Sequence, residues 1–166
     1  SMKYLFLGIL FLFISFNAFS QENYRIGDTI PEFKLWLTDG SKLTKNDILN
    51  KIVVFKFWFT SCLPCLTDIP LLNNLVNEYK KRDDILFVAP ALERNELLNS
   101  FLQKNNFKFK TAYSAMYVSQ LFNKKQVYPS YFVINKKGEF TYIDSGTKKS
   151  EISNLKKAIA AVLLKK

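Results

Sequence analysis

The two cysteines of this 166-residue chain are separated by two residues and follow closely after a long apolar run. The run IVVFKFWF, at 52–59, is rich in β-branched and aromatic residues, as is typical of a strand that is buried on both faces of a sheet. Apolar residues at helical spacing follow in LLNNLVNEYKK, at 71–81. The sequence therefore predicts that Cys62 and Cys65 lie between the carboxyl end of a central strand and the start of a helix.

The start of a helix changes the chemistry of a cysteine. Backbone N–H groups in the first helical turn lack partners and carry partial positive charge, so they favour a thiolate over a thiol. Cys62 is therefore the candidate nucleophile, and Cys65, one turn further on the same face, is the candidate resolving thiol. Pro64 suits this position because a residue in the first turn of a helix needs no N–H group.

Two other uses of the cysteine pair stay open. A structural zinc site normally takes four Cys or His ligands, and this chain has two cysteines and no histidine, so a partner would have to supply the other half. A structural disulfide would close a very short loop, and such a loop restrains little entropy of the unfolded chain. We interpret the pair as redox-active and expect no metal ion and no other cofactor.

The rest of the chain alternates strand-like and helix-like patterns without repeats or linker-like tracts, which indicates one domain. The segment 33–43 contains Asp39-Gly40, a pair that closes two-residue hairpin turns, and Thr44 can cap a short helix after it. Downstream of 71–81 we expect a buried strand at 85–92, helices at 93–105 and 115–123 with a short strand between them at 107–113, a hairpin of 130–135 and 139–146, and a closing helix from Glu151 capped by Ser150.

This order of elements predicts an α/β fold. Parallel strands that are joined by helices, followed by an antiparallel hairpin, form a mixed sheet with helices on both faces. With 48% hydrophobic residues, the chain has enough apolar surface for one such core.

The first twenty residues differ from the rest and read as a secretory signal peptide. They contain one lysine, Lys3, then an apolar run at 4–16, then the small residues Ala18 and Ser20 that signal peptidase requires at its cleavage site. The run is shorter than the roughly 20 residues that a helix needs to span a bilayer.

We therefore expect cleavage before Gln21, which leaves residues 21–166 as a single globular domain in the periplasm. The alternative is an uncleaved amino-terminal segment that anchors the same domain to the membrane. In both cases the domain is exported. Ser1, ahead of Met2, is interpreted as a remnant of cloning.

The chain is basic, with 24 Lys and Arg against 14 Asp and Glu and a formal charge of +10. A basic protein of this size invites a nucleic-acid or anionic-membrane interpretation. Its lysines, however, are scattered in pairs at 80–81, 124–125 and 136–137, and no Arg-rich or aromatic-basic recognition motif accompanies them. We therefore expect a solvated basic surface and no nucleic-acid partner.

Three motifs together resemble the TlpA/ResA-type exported thiol-disulfide oxidoreductases, which are redoxin-like members of the thioredoxin-like superfamily. IGDTIPEF at 26–33 is similar to the family's opening phrase, FWFTSCLPC at 57–65 to its active-site motif, and Tyr128-Pro129-Ser130 to its cis-proline segment. The resemblance covers nearly all of 25–165. It implies a thioredoxin-like fold with an N-terminal β-hairpin extension and a helical insertion, and it implies reduction of disulfides in protein partners.

The resemblance also implies roles for individual residues. Cys62 and Cys65 would form the redox-active disulfide, and Asp68 would shuttle protons for the resolving thiol, unless it only stabilises a helix amino terminus. Pro129 would be cis and lie against the cysteine pair, while the backbone of Tyr128 would pair with an extended substrate segment. Four further residues would contact that substrate: Trp58, Ser61, Leu63 and Pro64.

The chain departs from the family at several positions. Lys56 stands where thioredoxin has a buried aspartate and exported relatives often have asparagine, so its cation either favours the thiolates or extends out to solvent. Ser61 replaces a common tryptophan, and Leu63 replaces glycine or glutamate. Residues between the cysteines help to set the redox potential, so the direction of electron flow stays open. Pro70 keeps the family's proline, which should interrupt the active-site helix.

Three functions are therefore compatible with the sequence. The first is a reductase of protein disulfides, which would receive electrons from a membrane-bound reductant. The second is an oxidase or isomerase that acts on exported proteins, and the third is a non-catalytic binding module with a permanently oxidised pair. The expected partners are proteins with disulfides or dithiols, and we expect the chain to be a monomer.

Overall fold

The computed structural model describes residues 23–145 and 152–165. The strands are β1 (Lys34–Leu37), β2 (Lys42–Thr44), β3 (Ile52–Phe57), β4 (Ile85–Pro90), β5 (Lys110–Tyr113), β6 (Ser130–Ile134) and β7 (Phe140–Ser145). The helices are α1 (Lys45–Ile48), α2 (Leu63–Thr67), α3 (Ile69–Glu78), α4 (Asn95–Lys104), α5 (Met116–Phe122) and α6 (Ile152–Leu164). The segment 1–20, the expected cleavage site at Gln21, and Ser150 and Glu151 lie outside the described residues.

All seven strands form one mixed sheet in the order β2-β1-β5-β4-β3-β6-β7. The central strands β3, β4 and β5 are parallel, β6 pairs antiparallel with β3, and β7 pairs antiparallel with β6 at the edge of the sheet. The stretch between β4 and β6 carries α4, β5 and α5. This arrangement confirms the predicted α/β thioredoxin-like fold. The N-terminal hairpin is not a separate appendage, because β1 pairs antiparallel with β5.

The turn of the N-terminal hairpin differs from the prediction. Leu37 donates a backbone hydrogen bond to the carbonyl of Ser41 (2.9 Å), and Gly40 donates one to the carbonyl of Leu37 (3.0 Å). The loop therefore has three residues, 38–40, and not the two that Asp39-Gly40 suggested. Gly40 has a positive φ of 86°, which is the left-handed position that closes a three-residue hairpin loop.

The alternation of β3 assigns its side chains to two separate apolar clusters. Val53, Phe55 and Phe57 face α1 and α5 in an aromatic-rich cluster, whereas Ile52 and Val54 face the cluster that contains α3, α4 and α6. Because successive side chains of a strand point to opposite faces, Lys56 lies on the side of Ile52 and Val54. The sheet therefore carries a lysine on the face that the active-site helix covers.

The two described parts of the chain, 23–145 and 152–165, contain no helix that is both long and apolar enough to cross a membrane.

Candidate active site

The cysteine pair lies where the sequence predicts, between β3 and α2. After β3, Trp58 still pairs with the neighbouring strand: it donates to the carbonyl of Pro90 (3.3 Å) and accepts from Leu92 (3.2 Å). Helix α2 begins at Leu63, with Cys62 as its N-cap residue, and the backbone N–H of Leu66 donates to the carbonyl of Cys62 (3.1 Å). The sulfur of Cys62 accepts the backbone N–H of Cys65 (3.2 Å), and the two sulfurs are bonded (2.03 Å).

The two cysteines differ in their access to solvent. Cys62 is 5% exposed and Cys65 is 0% exposed, so of the two cysteines only Cys62 reaches the surface. The residues beside them form an open rim: Ser61 and Pro64 are exposed, and Leu63 is 71% exposed. A partner that approaches the disulfide therefore meets Cys62 first, next to an apolar side chain.

Trp58 does not belong to that rim. It is fully buried, its indole N–H donates to the carbonyl of Ala89 (3.3 Å), and its ring packs edge-on against Phe101 and Phe107. The expectation that Trp58 contacts a substrate does not fit this position. The buried indole instead packs between the end of β3 and Phe101 of α4.

The active-site helix is interrupted one turn after Cys65. Asp68 separates α2 from α3, and Pro70 lies in the first turn of α3. A proline has no N–H to bond the carbonyl four residues earlier, here that of Leu66, which Asp68 uses instead. The break that Pro70 predicts is therefore present, and it turns the Asp68 side chain toward the sheet.

Lys56 points inward and is completely buried. Its Nζ donates to the carbonyl oxygen of Cys65 (2.6 Å), and it lies 5.6 Å from the ring centroids of both Phe107 and Tyr131. Burial lowers the pKa of Lys56 from its usual 10.5 to about 7, while the nearby Asp68 carboxylate acts in the opposite direction. The alternative in which this side chain extends out to solvent is wrong.

Asp68 is bound from the sheet by a residue that the sequence analysis missed. The hydroxyl of Tyr131 donates to Asp68 Oδ2 (2.6 Å), and Tyr131 is 1% exposed. In the β3–β6 ladder Tyr131 lies directly opposite Lys56, so both side chains reach the same face. We call Lys56, Asp68, Tyr131 and the Cys65 carbonyl the Lys56 cluster. Only the strand register reveals it.

Pro129 follows Tyr128 through a cis peptide bond, as the resemblance implies. The β3–β6 register, in which Phe57 faces Ser130, carries this loop alongside the segment that leads to the cysteines. The ring of Tyr128 packs edge-on against Phe59 (5.5 Å between centroids). Tyr128 and Pro129 therefore lie beside the segment 57–59, which leads to Cys62.

A buried asparagine holds the loop before Pro129. Asn123 is 1% exposed, and its side-chain amide donates to the carbonyl of Val127 (2.7 Å). Its own carbonyl oxygen receives the backbone N–H of Val127 (3.4 Å) and the side-chain oxygen of Ser130 donates to the same Val127 carbonyl. The sequence analysis did not single out Asn123, because one polar residue at the end of a helix carries no distinctive pattern.

Glu93, in the loop after the neighbouring strand β4, fixes the segment before Cys62. Its Oε1 accepts both the backbone N–H and the hydroxyl (2.8 Å) of Thr60. Its Oε2 is buried and has no hydrogen-bond partner among the described residues. Glu93 comes shortly after β4, the parallel neighbour of β3, and the carboxyl ends of parallel strands meet at one edge. A polar residue shortly after a strand parallel to β3 is therefore expected near Cys62, and this rule could have identified Glu93 from the sequence.

The comparison with protein families decides what the chain is. Residues 25–159 match the family model described as Redoxin, which is well over half of the chain. The chain belongs to the Redoxin family. Within the described residues of this Redoxin-family protein, no group of three or more His, Cys, Asp or Glu side chains is placed to hold a metal ion.

Curated relatives of this Redoxin-family protein carry the name thiol-disulfide oxidoreductase ResA. The protein of Oceanobacillus iheyensis is 30% identical over 107 residues, which are 61% of this chain and 55% of that protein. The protein of Geobacillus kaustophilus is 29% identical over 138 residues, which are 81% of this chain and 78% of that one. The chain thus spans about half the length of the first of these relatives. The resemblance to ResA-type proteins is confirmed.

Solved structures share the fold. A thiol:disulfide interchange protein of the thioredoxin family from Chlorobium tepidum superposes with a TM-score of 0.69 at 18% identity, covering 86% of this chain and 99% of that one. StoA from Bacillus subtilis superposes with a TM-score of 0.61 at 18% identity, covering 78% and 96%. At these identities the comparison supports the thioredoxin-like architecture alone.

Proposed function

We propose that this Redoxin-family protein is an exported thiol-disulfide oxidoreductase that reduces disulfides in protein partners through Cys62 and Cys65. One observation carries the proposal: the disulfide joins the N-cap residue of α2 to its first turn, with only Cys62 reaching the surface. Backbone N–H groups at that place favour a thiolate, so the pair is suited to exchange. The name of the ResA relatives supports the same activity.

The reaction begins with the reduced pair. The Cys62 thiolate attacks one sulfur of the partner disulfide, which breaks, and the departing partner sulfur takes a proton from water. The Cys65 thiol then loses its proton, and its sulfur attacks Cys62. The Cys62–Cys65 bond forms as the mixed disulfide breaks, and the second partner sulfur leaves reduced. The partner gains two electrons, and the cysteine pair loses them.

The partner would be an extended protein segment. Within the described part of the chain, neither the N–H nor the carbonyl of the Tyr128 backbone forms a backbone hydrogen bond, and Tyr128 directly precedes the cis-proline. An extended segment can pair with such a free backbone edge, as in strand addition. Ser61, Leu63 and Pro64 on the exposed rim would contact its side chains. The electrons would come from a membrane-bound reductant.

The order of the cysteines gives a direct test. Cys65→Ser should accumulate partners as covalent adducts on Cys62 that dithiothreitol releases, because attack proceeds but resolution does not. Cys62→Ser should form no adducts and reduce no insulin. The readout is non-reducing electrophoresis of each variant mixed with an unfolded disulfide protein. Adducts on Cys62→Ser alone would reverse the assignment. An inert wild-type pair would leave a binding module as the better interpretation.

A disulfide oxidase is the second candidate, and Lys56 is the observation that favours it. A cation beneath the pair stabilises a thiolate and hence the reduced form, which makes the couple more oxidising. The reduction potential separates the two directions: a value near thioredoxin's, about −270 mV, supports a reductase, and a value near about −120 mV supports an oxidase. Equilibration with a glutathione or dithiothreitol series measures it.

A further inference from the structure

Lys56 is a charged residue on a face of the central strand whose other side chains are apolar. It lies in the central strand, on the face where Ile52 and Val54 join an apolar cluster, and no part of it reaches solvent. Lysine is almost never fully buried unless it is paired, because removal of an ammonium from water is costly. Its presence here therefore calls for a role beyond packing.

The groups that face Lys56 come from several elements. The carbonyl of Cys65 in α2 accepts a hydrogen bond from Lys56 Nζ (2.6 Å). Asp68, at the α2–α3 junction, interacts with Lys56 through its charge. From β6 comes Tyr131, whose hydroxyl binds Asp68. The other elements on this side of the sheet contribute apolar side chains to the cluster that contains Ile52 and Val54. These side chains are Leu72 of α3, Leu98 of α4, Phe107, and Ile159 of α6. Among the described residues, the titratable groups around Lys56 are thus Asp68, Tyr131 and the cysteines.

The charge of Lys56 is finely balanced while the disulfide is closed. Burial lowers its pKa to about 7, so ammonium and amine coexist near neutral pH. Opening of the disulfide creates a thiolate in the residue pair whose second member, Cys65, already accepts a hydrogen bond from Lys56 Nζ through its backbone carbonyl (2.6 Å). A new negative charge in a poorly solvated site holds a neighbouring ammonium more firmly, which raises the pKa of Lys56.

We propose that Lys56 is a redox-linked proton site, which releases a proton when the Cys62–Cys65 disulfide closes and takes one up when the disulfide is reduced. The inference rests on the proposed function. When the protein itself is reduced, a donor dithiol loses two electrons and two protons and becomes a disulfide, while the Cys62–Cys65 bond breaks. One proton goes to a cysteine sulfur and the other to the Lys56 amine, whose ammonium balances the remaining thiolate.

Lys56 acts here through charge and not through contact with the reacting sulfurs. Its hydrogen bond is to the Cys65 carbonyl, so it is a positioning residue for the thiolate. Asp68, held by Tyr131, lies at the half-buried edge of the Lys56 cluster.

This role has a signature that a simple dithiol lacks. A simple dithiol takes up about two protons on reduction at low pH and fewer as pH rises, because its thiols ionise. Here Lys56 is already protonated at pH 6, so reduction adds about one proton, and it is largely neutral at pH 8, so reduction adds about two. Proton uptake should therefore increase between these pH values, which is opposite to the ordinary trend.

The experiment measures the reduction potential of the full chain against dithiothreitol from pH 5.5 to 8.5, since the slope of potential against pH reports protons taken up per disulfide. Wild-type protein should show a steeper slope at pH 8 than at pH 6. Lys56→Met should lose this steepening, and its thiolate absorbance should appear at a pH at least one unit higher, a tenfold shift. Lys80→Met, which removes an exposed lysine after α3, is the matched control and should behave as wild type.

Each outcome decides the proposal. A wild-type slope that flattens with rising pH overturns it, as does a Lys56→Met variant with an unchanged slope, and in both cases exchange with dithiothreitol still supports the proposed function. A wild-type pair that never equilibrates with dithiothreitol overturns both. Should Lys56→Met not fold, the wild-type slope alone gives the answer.

Discussion

Lys56 places an amine beneath the helix that carries the cysteines, where its strand neighbours place apolar side chains. The arrangement lowers stability, because the ammonium must leave water and gains one carbonyl acceptor and a half-buried carboxylate in return. Functional sites commonly keep such costly groups when they need a charge at a fixed place. The stability of the oxidised protein should therefore depend on the protonation of this residue.

The expected pH dependence follows from the sign of the shift. The pKa of Lys56 is about 7 in the folded protein and 10.5 in an ordinary environment, so between these values the unfolded chain binds more protons. Stability from this residue therefore rises with pH from about 7 to 10, and the full penalty is present below 7. Lys56→Met should stabilise the oxidised protein at pH 6 by about 1–4 kcal/mol, and by less at pH 9.5.

Urea midpoints of wild type and Lys56→Met at both pH values check this prediction under non-reducing conditions. Lys80→Met again serves as the control for loss of one positive charge at the surface, and it should change the free energy of unfolding by no more than about 0.5 kcal/mol. A Lys56→Met variant that is less stable than wild type at pH 6 would contradict the account of a penalised ammonium.

At the level of elements, the connection from α5 to β6 decides how the backbone of Tyr128 is presented. This connection has little secondary structure of its own, and its conformation depends on the side chain of Asn123, which binds both backbone groups of Val127. Ser119 adds a hydrogen bond between its hydroxyl and that of Tyr128 (2.7 Å). A loop that is already ordered reduces the entropic cost of binding a partner segment.

Asn123→Ala should therefore weaken both stability and exchange. Loss of the side chain leaves buried backbone groups of Val127 with fewer partners, which costs about 1–3 kcal/mol. The urea midpoint should fall. The rate of insulin reduction should also fall, when it is measured without urea at a temperature at which the variant is folded. Asn99→Ala is the control, because the side chain of Asn99 binds the side chain of Asn95 within α4 (3.0 Å) and not the loop before Pro129. Equal effects of the two substitutions would argue against a role for Asn123 in the loop.

At the level of the whole molecule, the sheet unites segments that are far apart in the chain. The N-terminal hairpin pairs with β5, so Trp36 lies opposite Tyr113, and Leu35 and Leu37 are buried in the cluster with α1 and α5. The folded domain therefore includes strands that lie well before the active-site strand in the chain.

Export should leave a chain that begins at Gln21. The segment before it has one lysine, a short apolar run and small residues at the expected cleavage site, as signal peptidase requires. Mass spectrometry of protein recovered from the periplasm is the measurement. The control is an Ala18→Leu substitution, which should block cleavage and retain the protein in the membrane fraction. A wild-type chain found intact in membranes would show an anchor instead.

The sequence by itself determined the features that depend on neighbours along the chain. The apolar run of β3, the helical spacing of α3, the cysteines between them and the break at Pro70 all follow from local patterns, because periodicity and proline geometry act over a few residues. The resemblance to a known family added the thioredoxin-like fold and Pro129.

Tertiary structure alone decided which distant residues meet. The inward course of Lys56, the bond from Tyr131 to Asp68, the hold of Glu93 on Thr60, and the union of β1 with β5 are contacts between strands or loops remote in sequence. Such contacts depend on strand order and register, and a shift of register by one residue would send Tyr131 to the opposite face. That is why the Lys56 cluster is visible only in the folded chain.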